Sequence, residues 1–117
     1  MVRKGVLLRD AANASLTPTG SGVYILYLNG QIMKVGSAKI GIQKRMQQYY
    51  GLNGYCGLNC RINTVNRDKI TVSYQLCSAS QCEELESKLF DKYGSPGALP
   101  WAQRRPHSSA DTCTLYI

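Results

Sequence analysis

The sequence has one histidine and seven acidic residues among its 117 positions. His107 stands alone, so histidine-pair metal sites and histidine-dependent triads have little to draw on. No apolar run approaches the length of a membrane span, and the opening residues MVRKGVLLRD are too short and too charged for a signal peptide. A soluble, cytoplasmic protein is expected, with no membrane partner. The cysteine count is odd, at five, which without a secretion signal argues against a disulfide framework. Cys56 with Cys60 and Cys77 with Cys82 could together make a four-thiolate zinc site, but neither pair has the CxxC spacing. Reduced structural thiols are the expectation.

The scarcity of acid leaves 14 Lys and Arg against 7 Asp and Glu, a net charge of +7. On so small a surface that field attracts polyanions, of which nucleic acid is the commonest and an anionic membrane the other candidate. The length suits one domain with one core, and an apolar content of 44% is ordinary for a globular chain.

Residues 1–21 show no periodicity beyond Val6-Leu7-Leu8, and 13–21 reads as loop, after at most a loose N-terminal turn. Residues 23–28, VYILYL, predict a strand buried on both faces. Asn29-Gly30 predicts a hairpin, with residues 31–35 returning. A strict two-residue loop would set Lys34 on the face opposite Tyr24. An extra residue, with Gly30 in a bulge, would set the two on one face. Lys34 is an anomaly in this apolar strand: an edge gatekeeper or a functional cation. Residues 36–38 read as a turn before a helix that ends at Gly51, with Ile42, Met46 and Tyr50 as its apolar stripe. Arg45 and Tyr49 flank that stripe, whereas Lys44 and Gln48 point away.

Residues 52–68 read as an irregular insertion with a short strand at 60–65, and Asp68-Lys69 as a turn. Residues 70–77 predict a strand pairing back onto the hairpin. Residues 80–93 predict a second helix, with Ser80-x-x-Glu83 as capping box and Cys82, Leu85, Leu89 and Tyr93 buried. Glu84 faces away and can pair with Lys88. Glu86 falls within roughly 40° of the centre of the apolar stripe. A carboxylate there needs cations or donors, either in an ion pair with Arg45 or Lys34 or as a metal ligand. Trp101 is expected to cover a core edge. Arg104-Arg105 would contact phosphates or be solvated.

Gly-Val-Tyr at 22–24, Lys-Val-Gly at 34–36, Lys44-Arg45 with Tyr49, and Leu85-Glu86 within a helix together resemble the GIY-YIG nuclease family. The resemblance covers about 22–94. It leaves 1–21 as a lead-in and 95–117 as an extension of a single domain. It implies a small α/β (α+β) fold with a central three-stranded antiparallel sheet flanked by helices. It also implies DNA strand hydrolysis with one divalent ion, Mg²⁺ or Mn²⁺. Tyr24 then corresponds to the general base, Arg45 to the arginine that stabilises the scissile phosphate, Tyr49 to the residue that orients it, and Glu86 to the metal ligand. Two departures are visible. Lys34 replaces the second-motif tyrosine, as in some restriction endonucleases of the family, and the asparagine often found beyond the glutamate helix is missing.

The residue types suit the chemistry. An ordinary phenol is a poor base at neutral pH, and a neighbouring ammonium such as Lys34 together with the metal is expected to lower its pKa. A guanidinium matches phosphate as a planar fork, and a single carboxylate leaves metal positions to water and phosphate oxygens. The expected function is a metal-dependent DNA endonuclease. Lys39, Lys44, Arg104 and Arg105 are its nucleic-acid contacts, and a homodimer, a partner protein or two visits would serve double-strand cleavage. The alternatives are a catalytically inactive nucleic-acid-binding module on the same fold, or a basic adaptor for protein or membrane.

Overall fold

Asn29 and Gly30 both take positive φ, 53° and 79°. That is the conformation a two-residue hairpin turn needs to match the twist of its strands. In this computed structural model, which describes residues 1–52, 61–94, 99–101 and 111–117, the turn joins β2 (Gly22–Leu28) to β3 (Gln31–Ala38). Leu28 pairs with Gln31 and Tyr27 with Ile32, but Leu26 pairs with Lys34 and Tyr24 with Gly36. The extra residue is Met33. The loop is therefore the short one, and the bulge sits inside β3 rather than at Gly30. The result is the arrangement that places Lys34 and Tyr24 on one face. The Met33 carbonyl accepts a hydrogen bond from the Trp101 backbone N–H at 2.8 Å, and the Trp101 side chain is buried in the core below.

The sheet is antiparallel throughout, with four strands in the order β1-β4-β2-β3. Here β1 is Val2–Leu7 and β4 is Ile70–Leu76. The three-stranded sheet expected from the sequence thus gains a strand from a segment read as irregular. The reason is a register shift between Arg3 and Val6, which breaks the alternation that marks a strand. Residues 36–38, read as a turn, belong to β3. No strand forms at 61–65, where the chain makes a bend and turns around the buried Ile62.

Central β2 is covered on both faces. On one side Tyr24 and Leu26 pack with Leu8 and Ala11 of α1 (Leu8–Ala11) and with Ile42, Met46 and Tyr49 of α2 (Ile42–Tyr50). On the other, Val23, Ile25 and Val35 pack with Leu85, Leu89 and Phe90 of α3 (Cys82–Tyr93). Truncating a buried leucine such as Leu26 to alanine in a layer like this costs about 2–5 kcal/mol.

The helix α2 buries Tyr49 rather than Tyr50. Tyr50 leans outward, its hydroxyl on Asp68 at 2.7 Å and its ring under the Arg67 guanidinium. The capping box before α3 also differs from expectation: it is Ser78 with Gln81, around a 3₁₀ turn at Ala79–Gln81. Glu83 is thereby released to pair with Lys39 at 3.0 Å. Glu84, expected at the surface, is only 6% exposed. Residues 111–117 lie over it, with Thr112 and Cys113 donating to its carboxylate and Ile117 buried against α3. Cys77 and Cys82 are free thiols with sulfurs 3.6 Å apart. Burial pushes Cys77 up to about 12. Cys56 and Cys60 lie outside the described residues.

Candidate active site at the open edge of the sheet

Because β3 is the last strand in the order, no further strand of the described residues pairs with its outer rim, and helices on both faces can reach around it. Tyr24 comes from β2, Lys34 and Ser37 from β3, Arg45 and Tyr49 from α2, and Glu86 from α3. Tyr24 lies directly opposite Gly36. A Cβ at residue 36 would stand 2.7 Å from the Tyr24 hydroxyl oxygen and 3.3 Å from Lys34 Cε. Glycine there is what lets the phenol lie across the strand beside the lysine.

The Tyr24 and Tyr49 hydroxyls are hydrogen bonded at 2.5 Å, with the rings edge to face at 5.9 Å. Both residues are 2% exposed. Burial pushes the Tyr24 phenol well above its ordinary value; Tyr49 and Glu86 add to the rise, and Arg45 lowers it. The cation acting most on the phenol is thus Arg45, where the sequence had suggested Lys34. Lys34 is half-buried, and its ammonium is lowered by desolvation, supported by Glu86 and opposed by Arg45. Glu86 is half-buried too. Burial raises its pKa, while the Ser37 hydrogen bond and Lys34 lower it. The Ser37 hydroxyl donates to Glu86 Oε1.

By sequence, no family model and no curated protein matches the chain. By structure, the GIY-YIG N-terminal endonuclease domain of UvrC from Thermotoga maritima does. A point mutant of that domain bound to its catalytic divalent cation superimposes with TM-score 0.58 and 21% identity, over 83% of this chain and 96% of that one. The magnesium-bound domain gives TM-score 0.57 and 22% identity, over 80% of this chain and 93% of that one. The chain has the GIY-YIG fold.

Within this GIY-YIG fold the five residues singled out in the sequence, Tyr24, Lys34, Arg45, Tyr49 and Glu86, converge on one rim and influence one another electrostatically. Lys34 is therefore not a solvated gatekeeper. The surface candidates behave differently. Lys39 is tied to Glu83 in an exposed ion pair, and Lys44 is exposed on α2. Arg104, Arg105 and His107 lie outside the described residues. Ser37 was missed, because reading 36–38 as a turn hid that a serine one residue past Gly36 lies on the α3 face. Among the described residues no three His, Cys, Asp or Glu side chains cluster to hold a metal. What the rim offers is one carboxylate, hydroxyls and two cations. That set fits a hard ion completing its shell with water and phosphate oxygens, Glu86 being the carboxylate available to it. It does not fit zinc, which takes three or four nitrogen and sulfur ligands. No helix among the described residues is long and apolar enough to cross a membrane.

Proposed function

We propose that the protein is a divalent-metal-dependent DNA endonuclease hydrolysing phosphodiester bonds. The observation that carries the reading is the convergence of a buried phenol pair, two cations and one carboxylate at the rim of β3. Tyr24 takes the proton of the attacking water. Tyr49, hydrogen bonded to it, fixes the direction of that phenol and orients the phosphate. Arg45 binds the scissile phosphate as a fork and favours the phenolate. Lys34 balances Glu86 and, with Arg45, leaves the rim one positive charge in excess, which favours a phosphodiester. Mg²⁺ or Mn²⁺ held by Glu86 would supply Lewis-acid stabilisation at the phosphate. Lys39, whose charge reaches Glu86, and Lys44, exposed on α2, are further DNA contacts, Lys39 by exchanging Glu83 for phosphate.

The test is nicking of supercoiled plasmid by the purified protein with Mg²⁺, Mn²⁺ or EDTA, beside Glu86→Ala and Tyr24→Phe. Metal-dependent nicking that both variants lose is the expected result. Wild-type protein that binds DNA but cuts no supercoiled, linear, branched or single-stranded substrate would replace the nuclease with a binding module on the same fold.

A further inference from the structure

We propose that Ser37 is a positioning residue that holds the Glu86 carboxylate for a hard divalent cation. The proposal rests on Glu86 being the metal ligand of the site proposed above. Ser37 stands opposite Val23 on β3, on the face packed by α3. It reaches that face because the Met33 bulge shifts the strand by one residue: without the shift, Lys34 would face α3 and Ser37 would face α2. One bulge therefore places two polar groups, Lys34 beside Tyr24 and Ser37 beside Glu86.

The grip has two parts. The Ser37 hydroxyl donates to Glu86 Oε1, and the Ser37 backbone also hydrogen bonds the carboxylate. An edge strand makes the second part available, since every other backbone N–H of β3 points away from β2 and, among the described residues, has no ladder partner. Held by Ser37, the carboxylate loses rotational freedom before a cation arrives and keeps its remaining lone pairs for that cation. Exposed helical glutamates such as Glu83, paired among the described residues with a lysine, have no such restraint. Groups that orient a ligating carboxylate are worth about 10–100-fold in metal affinity.

The experiment is a Mn²⁺ titration of the full chain followed by electron paramagnetic resonance, without DNA, so that cleavage does not enter the readout. Ser37→Thr and Ser37→Val have the same shape and suit a strand equally, and differ in the hydroxyl alone. Circular dichroism establishes that both are folded. Ser37→Thr should bind Mn²⁺ within about threefold of wild type, and Ser37→Val about tenfold or more weakly. Glu86→Ala should bind none at this site. Equal affinities for the Thr and Val variants, with wild-type binding dependent on Glu86, would overturn the role of Ser37 and leave the site reading intact. Wild-type protein that binds no Mn²⁺, or a Glu86→Ala variant that binds as well as wild type, would overturn both.

Discussion

Glu84 and Glu86 stand two residues apart on α3, and the fold treats them in opposite ways. Burial tends to raise Glu84, but the side chains and backbone of Thr112 and Cys113 more than offset it, and its pKa falls below the ordinary 4.5. Burial also raises Glu86, and there Ser37 and Lys34 do not offset it, so its pKa stays above 4.5. Glu84 is a structural anion, saturated with donors and serving to dock residues 111–117. Among the described residues Glu86 is held by fewer donors than it could accept, and it is only half-buried. A carboxylate kept short of partners is costly to a fold, and it is the kind of group a cation can complete. The two differ both in burial and in the direction in which their surroundings move the carboxyl.

Isosteric amides put that contrast to its hardest test. Glu86→Gln should reduce metal-dependent nicking by about a thousandfold, since the amide keeps the shape and loses the charge; nicking within tenfold of wild type would undo the distinction. The pH profile comes next. Tyr24 must lose its proton to act as base, and burial holds that proton on, so the nicking rate should climb about tenfold per pH unit from 7 to 9. A flat profile would point to another base.

The two carboxylates should then move thermal stability in opposite senses. Glu84 has a depressed pKa, so its contribution is present above pH 4.5 and is lost as pH falls through its folded value. Glu84→Gln should accordingly lower Tm on the order of 5 °C at pH 7, leave nicking within about threefold, and converge with wild type under acid. Glu86 has a raised pKa, so the cost of its charge is absent below pH 4.5 and grows as pH rises through its folded value. Glu86→Gln should melt above wild type at pH 7 and with it under acid; calorimetry from pH 3 to 8 reads both. The smallest effect is expected of Thr112→Val, which removes one hydroxyl donor to Glu84 and leaves the backbone donors. A drop of about 2 °C with unchanged Mn²⁺ affinity would set it against Ser37→Val.

Much of this was legible in the chain because it rests on local physics. Asn29-Gly30 turns as its φ preferences dictate, and VYILYL is buried on both faces. The helix wheel put Glu86 toward the core side of α3. The same wheel put Glu84 in solvent, because a wheel describes one helix and does not know that residues 111–117 return to cover it. Ser80-x-x-Glu83 and Ser78-x-x-Gln81 both have the form of a capping box. The second was realised, with a 3₁₀ turn before α3. Tyr49 and Tyr50 are adjacent and either could face the core; contact with Tyr24 chose Tyr49. The strand β1 escaped notice because its register shift erased the alternation.

The sequence by itself determined the positive charge, the hairpin, the two main helices and the identity of the five rim residues. It left undecided which of them meet. In a strand the face is a matter of parity, and one extra residue reverses it. That residue is Met33, whose carbonyl is taken by Trp101 from 68 positions further along the chain. Local patterning carries no record of such a partner. Only the closed tertiary structure, with α2 and α3 on opposite faces of an edge strand, brings Tyr24, Lys34 and Arg45 to the same rim as Ser37 and Glu86.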